Sequence, residues 1–137
     1  MFAFVVKWFG FLKGIPLVAV YYDSLIKMWM LVSNPKMLSW VDELEDFALT
    51  FPQTDVSLHK YGGSQFNYND KEFAHLHSNG ILDLLFNREL KTTYLEKGRI
   101  QNHHVFQKSG WISFHIKTVD DVSYAKELLA IAYQKRV

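Results

Sequence analysis

Apolar residues recur at helical spacing in two long stretches of the chain after residue 37. Leu38, Val41, Leu44 and Phe47 predict a helix that begins at Ser39 as N-cap and ends before Pro52. A second helix is predicted after Thr118, because Asp121 stands at the capping-box position. Its buried stripe consists of Val122, Ala125, Leu128, Leu129 and Ala132.

Between these helices apolar and polar residues alternate with the period of a half-buried strand. The alternation and the intervening turn signals predict strands near residues 56–59, 65–69, 72–77, 81–86, 103–106 and 111–117. A short helix from Asn87 to about Lys97 interrupts them, and Gly98 ends it. The order predicts the α+β class: an antiparallel sheet of about five strands, covered on one face by helices and preceded by an apolar helical N-terminal segment.

The residues before this domain are the most apolar part of the chain. Two short helices are predicted, at about 2–13 and 17–32, but four charged residues interrupt them and disfavour a membrane span: Lys7, Lys13, Asp23 and Lys27. We expect two parts: a segment over residues 1–37, which is a membrane-surface anchor or a packing arm, and a domain over residues 38–137.

The alternatives for the N-terminal segment imply different partners. A net charge of +3 over residues 1–37, together with Trp8 and Trp29, favours contact of residues 1–32 with a membrane surface. The other interpretation is that these helices pack on the domain or on a second subunit, which would give a homodimer. The expected location is cytoplasmic or peripheral to the inner face of the membrane.

The amino-acid composition excludes several kinds of chemical site. The chain has no cysteine, which excludes disulfides, thiolate metal sites and cysteine nucleophiles. A net charge of +1 offers no general attraction to nucleic acid, and a hydrophobic fraction of 49% is incompatible with a disordered chain.

Histidines are the main candidates for chemistry. The strand alternation predicts that Phe73, His75 and His77 share one face, with Ala74 and Leu76 on the other. The following hairpin brings Asp83 near, and His103 and His115 approach from neighbouring segments. Such imidazoles act as general bases near neutral pH. His103 and His104, adjacent on a strand, should point to opposite faces, so that one of the two serves the site.

Two other interpretations of the histidines stay open. The first is a divalent metal held by His75, His77 and His103, with Glu72 or Asp83 completing the set. In the second, the histidines are polar residues on a solvent-facing sheet surface without catalytic function.

The ordered motif EFAHLH…G.LDL…L…EKG…H…GW.SF, followed by an A..LL..AY helix, resembles the luciferase-domain family over Phe66 to Tyr133. This family includes the fungal luciferases and many small bacterial proteins. The resemblance implies oxygenation of a hydroxypyrone, 3-hydroxyhispidin, by molecular oxygen without an organic cofactor. It therefore implies a small, flat, acidic aromatic substrate. A non-enzymatic ligand-binding or assembly module is the alternative.

The matching positions supply the expected site. Catalytic roles are expected for Glu72, His75, His77 and His103, and substrate contacts for Asp83, Lys97, Arg99, Trp111 and His115. No cofactor is expected. The chain departs from the family pattern at Arg99, where members commonly have Trp, and at Asp83, where many have His.

Overall fold

The structure is a computed structural model that describes residues 16–137. The helix predicted over residues 2–13 lies outside this part of the chain. The described helices are α1 (Pro16–Ser33), α2 (Pro35–Leu49), α3 (Arg88–Glu96) and α4 (Val119–Gln134). The described strands are β1 (Thr54–Leu58), β2 (Ser64–Tyr68), β3 (Lys71–Leu76), β4 (Ile81–Leu85), β5 (Gln101–Asn102) and β6 (Trp111–His115).

The six strands form one antiparallel sheet in the order β1-β2-β3-β4-β6-β5. The α+β class is confirmed, and the predicted count of about five strands becomes six among the described residues. Successive hairpins explain the order from β1 to β4, because a turn of two to five residues pairs consecutive strands. Helix α3 and the two-residue strand β5 lie between β4 and β6 along the chain. In the sheet, however, β4 pairs directly with β6.

One face of the sheet packs against α2 and α4 to form the hydrophobic core. The sheet contributes Phe66, Leu82, Leu84, Ile112 and Phe114, each at most 3% exposed. The stripe predicted for the last helix is buried in full, and the predicted Thr118 capping box is present. Asn87 caps α3 by accepting the amide hydrogen of Leu90.

Helix α2 begins earlier than predicted. Its first residue is Pro35, with Asn34 at the N-cap position, so the prediction of a start at Ser39 is wrong. Proline suits the first helical position because its fixed φ is already helical and its missing N–H would have no partner there. The expected boundary between residues 37 and 38 therefore falls inside α2.

Strand β3 contains a bulge at Phe73. Ala74 pairs with Phe66 and Glu72 pairs with Asn67, which leaves Phe73 without a partner on β2. Phe73 and Ala74 consequently both enter the core. The prediction that Phe73 shares a face with His75 is wrong, because the extra residue reverses the alternation on its N-terminal side. The bulge also turns Glu72 toward the face that carries His75.

The predicted strand over residues 103–106 is also wrong. The strand is Gln101–Asn102, and the chain turns at His103. The His103 Nδ1 atom accepts the amide hydrogens of Val105 and Phe106, at 3.1 Å each. These two bonds give the amide hydrogens of Val105 and Phe106 an acceptor within a turn. In a longer strand the same hydrogens would have paired with a neighbouring strand.

Helix α1 is attached to the domain through a buried carboxylate. Asp23 Oδ2 accepts the amide hydrogen of Gly63 and Asp23 Oδ1 accepts the Ser78 hydroxyl, both at 2.9 Å. A side chain at Gly62, whose φ is +88°, would overlap Asp23. One helix thus holds the turn between β1 and β2 and the turn between β3 and β4.

The opposite side of α1 is apolar and exposed. Its outward side chains are Leu17, Tyr21, Leu25, Met28, Trp29, Leu31 and Val32. Within residues 16–137, no helix combines the length and the hydrophobicity that crossing a membrane requires.

Candidate functional site

The sheet face opposite the core is organised around one buried carboxylate. Asp83, in the middle of β4, is 0% exposed. Its Oδ2 atom lies 3.0 Å from His75 Nε2, 3.4 Å from His77 Nε2 and 3.7 Å from His103 Nε2. Three imidazoles therefore converge on one oxygen atom, and we call Asp83 with these three residues the histidine cluster.

Strand register explains this convergence. Asp83 is paired with His75 on β3 and with Ser113 on β6, so the three side chains stand in one row on the same face. The residues on either side of Asp83, Leu82 and Leu84, point into the core. Because side chains alternate between the two faces along a strand, Asp83, the single acidic residue of this apolar strand, lies on the opposite face.

His75 lies between two carboxylates. Its Nδ1 atom donates to Glu72 Oε1 at 2.6 Å, and its Nε2 atom faces Asp83. Burial by itself would lower the pKa of His75, but the contacts with Asp83 and Glu72 outweigh it and raise the pKa to about 9. His75 is therefore a cation at neutral pH, and it has no free lone pair with which to accept a proton.

Asp83 is the anionic counterpart. Burial would raise its pKa, but contacts with His75, His77 and Ser113 hold the pKa well below its usual range. The Ser113 hydroxyl donates to Asp83 Oδ1. The Oδ2 atom, by contrast, has no hydrogen bond of acceptable geometry among the described residues, although three imidazole nitrogens lie 3.0–3.7 Å away.

His103 reaches the cluster from the loop after β5. Because its Nδ1 atom accepts two backbone amide hydrogens, its proton in the neutral form is on Nε2, which faces Asp83. Burial lowers the pKa of His103 and favours this neutral form. His104 is exposed and its ring stacks on His103 at a centroid distance of 4.6 Å. The prediction that the pair points to opposite faces of a strand is wrong, because no strand forms there.

His59 was not identified from the sequence. It follows β1, and its ring stacks on His75 with centroids 4.3 Å apart and planes within 8°. Burial, followed by repulsion from His75, lowers the pKa of His59 to about 4. A neutral imidazole thus lies against a charged one. No local sequence pattern identifies His59 as a site residue, because its contact with His75 depends on the position that β2 gives to β1 relative to β3.

Two further residues missed from the sequence hold the loops of the site. The Lys91 ammonium group donates to the carbonyl oxygens of Gln107, Ser109 and Trp111 at 2.8–3.0 Å, which fixes the loop that carries His103. Burial lowers the pKa of Lys91. Asp23 fixes the turns beside His59 and His77, as described above. Isolated charged residues on otherwise amphipathic helices were the only sequence signal for either role.

The histidine cluster is open to solvent on one side. The side chains of His77 and Glu72 are 26% and 28% exposed, whereas those of His75 and His103 are at most 8% exposed. Trp111 is half-buried beside them, with its ring centroid 5.3 Å from that of His75 and 6.0 Å from that of His103. His77, Glu72 and Trp111 therefore form the accessible edge.

Two predicted substrate-binding residues, Lys97 and Arg99, have their described contacts elsewhere. Lys97 lies over the Tyr94 ring, and Arg99 pairs with Asp121 and stacks on Tyr124. His115 lines an open groove of about 310 Å³ together with Arg99. A second groove, of about 420 Å³, lies near Tyr68 and Lys135. His115 follows Ser113 by two residues on β6 and so lies on the same sheet face as the cluster, at the edge of the groove that Arg99 lines.

Two sets of side chains have metal-binding geometry in the described part of the chain. One comprises His59, Glu72 and His75, and the other comprises His75, His77 and Asp83. Within each set the donor atoms lie within 4.8 Å of one another. The alternative triad expected from the sequence included His103, whose Nε2 proton in the neutral form faces Asp83 and occupies the position that a metal would need.

Comparison with known proteins supports the motif resemblance. The family model described as the Luciferase domain matches residues 70–132, which include β3, β4, α3, β6 and most of α4. The match contains the histidine cluster entirely. No curated protein matches the chain. Over residues 70–132, slightly less than half of the chain, the protein therefore matches the luciferase-domain family.

Proposed function

We propose that this luciferase domain binds a small, planar, acidic aromatic compound at the accessible edge of the histidine cluster and promotes its oxygenation by O₂. The single observation that carries the proposal is the convergence of three imidazoles on the buried carboxylate of Asp83. A buried arrangement of this kind costs folding free energy, so it is typical of a functional site.

The edge of the cluster supplies the contacts that such a compound needs. Trp111 offers a half-buried aromatic surface for a flat ring. The imidazolium of His75 lies directly behind the edge between Glu72 and Asp83, and the His103 Nε2–H is a hydrogen-bond donor.

His77 is the best candidate for the proton acceptor in a site without metal. His75 is already protonated, and the pKa values of His59 and His103 are both lowered. His77 is partly exposed, and Asp83 orients its Nε2 side. Loss of a substrate proton gives an electron-rich anion that supplies the electrons for O₂. Both oxygen atoms enter the product, so no external reductant is required.

The test uses 3-hydroxyhispidin as probe, with O₂ consumption and light emission as readouts. We expect the purified protein to consume O₂ with this compound, and His77→Gln to be slower by about 10²-fold or more, the range for loss of a general base. His104→Gln, which alters an exposed histidine outside the cluster, is the matched control and should retain the rate.

Binding is measured separately by quenching of tryptophan fluorescence, and Trp111→Phe, which removes the tryptophan beside the cluster among the four in the chain, should lose most of the quenching. Failure of the probe to bind or to consume O₂, or an equal loss of rate in His77→Gln and His104→Gln, would contradict the proposal. Binding without O₂ consumption would support the alternative of a ligand-binding module.

We also propose that the outward face of α1 lies on an anionic membrane surface. Tyr21, Met28 and Trp29 are each at least 67% exposed on this face, and Lys27, which pairs with Asp23, is partly exposed beside them. Aromatic and aliphatic side chains flanked by lysine suit the interface of an anionic bilayer. Asp23 on the other side of the helix keeps this face turned away from the domain.

Flotation with vesicles of phosphatidylcholine and phosphatidylserine tests the membrane proposal. The full chain should float, and the double variant Met28→Glu/Trp29→Glu should not. Val119→Glu, which adds charge at another exposed apolar residue, is the control. Equal flotation of all three proteins would eliminate the proposal. A dimer in solution that the double variant disrupts, without flotation, would identify a second copy of the chain as the partner.

A further inference from the structure

We propose that His75 Nε2, His77 Nε2 and Asp83 Oδ2 bind one divalent transition-metal ion. The inference deepens the proposed function. The role of the metal in oxygenation rests on the proposed function, but the binding of the metal does not.

The separations between the donor atoms suit a shared ion. Two ligands bound to one ion at about 2.1 Å lie roughly 3.0–3.4 Å apart at octahedral or tetrahedral angles. Asp83 Oδ2 lies 3.0 Å from His75 Nε2 and 3.4 Å from His77 Nε2, and all three atoms lie within 4.8 Å of one another.

The unpaired oxygen of Asp83 is the second and independent observation. Asp83 is fully buried, yet its Oδ2 atom has no hydrogen-bond partner among the described residues. His75 at 3.0 Å offsets part of the desolvation cost of this oxygen, but a buried lone pair without a hydrogen bond still costs free energy. A cation between Asp83 and the two imidazoles would remove this cost.

Neighbouring residues orient the donors as they do around protein-bound metals. Glu72 accepts the Nδ1–H of His75, which directs the Nε2 lone pair toward the ion once the Nε2 proton leaves. Ser113 donates to the other oxygen of Asp83, leaving Oδ2 free to coordinate. The two carboxylates, Glu72 and Asp83, together balance the charge of a divalent ion.

The alternative donor sets fit less well. His103 is excluded by its tautomer, since its Nδ1 atom already accepts two amide hydrogens and its Nε2 atom carries the proton. The set of His59, Glu72 and His75 would require His75 to coordinate through Nδ1 and to give up its bond with Glu72. It would also leave Asp83 Oδ2 without a partner.

Two imidazoles and one carboxylate favour Zn²⁺, Fe²⁺, Co²⁺ or Ni²⁺ over Mg²⁺ and Ca²⁺, which prefer oxygen ligands. An ion at this position would lie behind the accessible edge, where it could bind a hydroxyl oxygen of the substrate and lower the pKa of that hydroxyl. His103, whose Nε2 atom lies 3.7 Å from Asp83 Oδ2, would then donate its Nε2–H to the bound compound.

The test is titration of the chelator-treated full chain with Co²⁺, whose visible absorption reports the coordination, together with elemental analysis after dialysis. We expect one bound ion per chain. His77→Gln and Asp83→Asn should weaken binding by more than about 100-fold, and Glu72→Gln, which alters an orienting residue, by about 10–100-fold.

Three histidine variants locate the ion. His59→Gln and His103→Gln should bind Co²⁺ within about twofold of the unaltered protein, as should the exposed control His104→Gln, because we infer that a ligand's loss costs far more. Weakening by His59→Gln but not by His77→Gln would move the ion to the other set and overturn the inference. Absence of binding, or binding that His77→Gln leaves unchanged in a folded protein, would also overturn it. Circular dichroism reports folding.

Activity separates this inference from the proposed function. One bound Co²⁺ lost in His77→Gln, without O₂ consumption on any metal tested, supports the metal site and contradicts oxygenation. An undiminished rate in chelator-treated protein supports oxygenation and contradicts the use of a metal.

Discussion

The two faces of the sheet are buried by opposite means. On one face, Leu82, Leu84 and Phe114 are buried among the apolar residues of α2 and α4. On the other face, Asp83, His75 and His103 are buried just as deeply, but among ionisable groups and loops. Adjacent residues of β4 thus belong to environments that differ in kind, although the side chains in both are buried.

The difference indicates which face supplies stability and which is specialised for function. Burial of apolar side chains contributes about 25 cal/mol per Å² and requires no partner. Buried charges gain little net free energy, because the loss of hydration offsets their attraction. We therefore expect substitutions on the histidine face to change the chemistry more than the stability. Substitutions on the core face should change mainly the stability.

The largest expected effect is on the core face at the bulge. Phe73→Ala removes a fully buried ring and should lower the free energy of unfolding by about 3–5 kcal/mol. Urea unfolding followed by circular dichroism measures it. Phe73→Leu, which keeps most of the volume, should cost less, and an equal cost for both variants would contradict a packed position for this residue.

The next largest expected effect is the pH dependence of stability, which arises from the histidine face. The pKa of His75 is about 9 in the folded metal-free protein, against about 6.5 when unfolded. The folded state therefore holds the proton more tightly. The resulting stabilisation is full below pH 6.5 and is lost as the pH rises through 9, on the order of 2–3 kcal/mol.

Urea unfolding in the presence of a chelator, at pH 6.5, 8 and 9.5, measures this loss. His75→Gln lacks the titrating group, so its stability should change less across the same range. Parallel losses in the two proteins would show that His75 is not the group responsible.

Asp23 connects α1 to turns beside the histidine face, and its removal should have an intermediate effect. Asp23→Ala removes the acceptor for Gly63 and Ser78 and should cost about 1.5–3 kcal/mol, the range for hydrogen bonds to a charged group. Lys27→Ala, which removes only the exposed partner of Asp23, is the control and should cost under about 1 kcal/mol. Equal costs would contradict the role of Asp23 in holding the turns.

The smallest expected effect is at a helix end on the core side. Thr118→Ala should destabilise the protein by about 1 kcal/mol, since Thr118 accepts the Asp121 amide hydrogen. Thr118→Ser retains the acceptor and should be close to neutral. Thermal unfolding of the three proteins checks the order, and a loss in the serine variant as large as in the alanine variant would be inconsistent with capping.

Features that depend on local spacing were predictable from the sequence. The Thr118 cap and the stripe from Val122 to Ala132 each follow from residues close together along the chain. The hairpin after β3 also predicted that Asp83 lies near His75 and His77. The class of the fold follows from the order of these elements.

Features that depend on pairing between distant segments were not predictable. The bulge at Phe73 arises from the register of β3 against β2, and it turns Glu72 toward His75. His59 joins the site through the position of β1, and His103 through a turn that its own ring stabilises. Arg99 illustrates the reverse, because its partners on α4 draw it away from the cluster.

The central claim is that the imidazoles of the histidine cluster converge on Asp83. Long-range proton–nitrogen NMR of the imidazole rings, recorded on metal-free protein at pH 7, tests it most directly. The account predicts that His75 carries protons on both ring nitrogens and that His103 is neutral with its proton on Nε2. A neutral His75 together with a His103 protonated on Nδ1 would contradict the convergence.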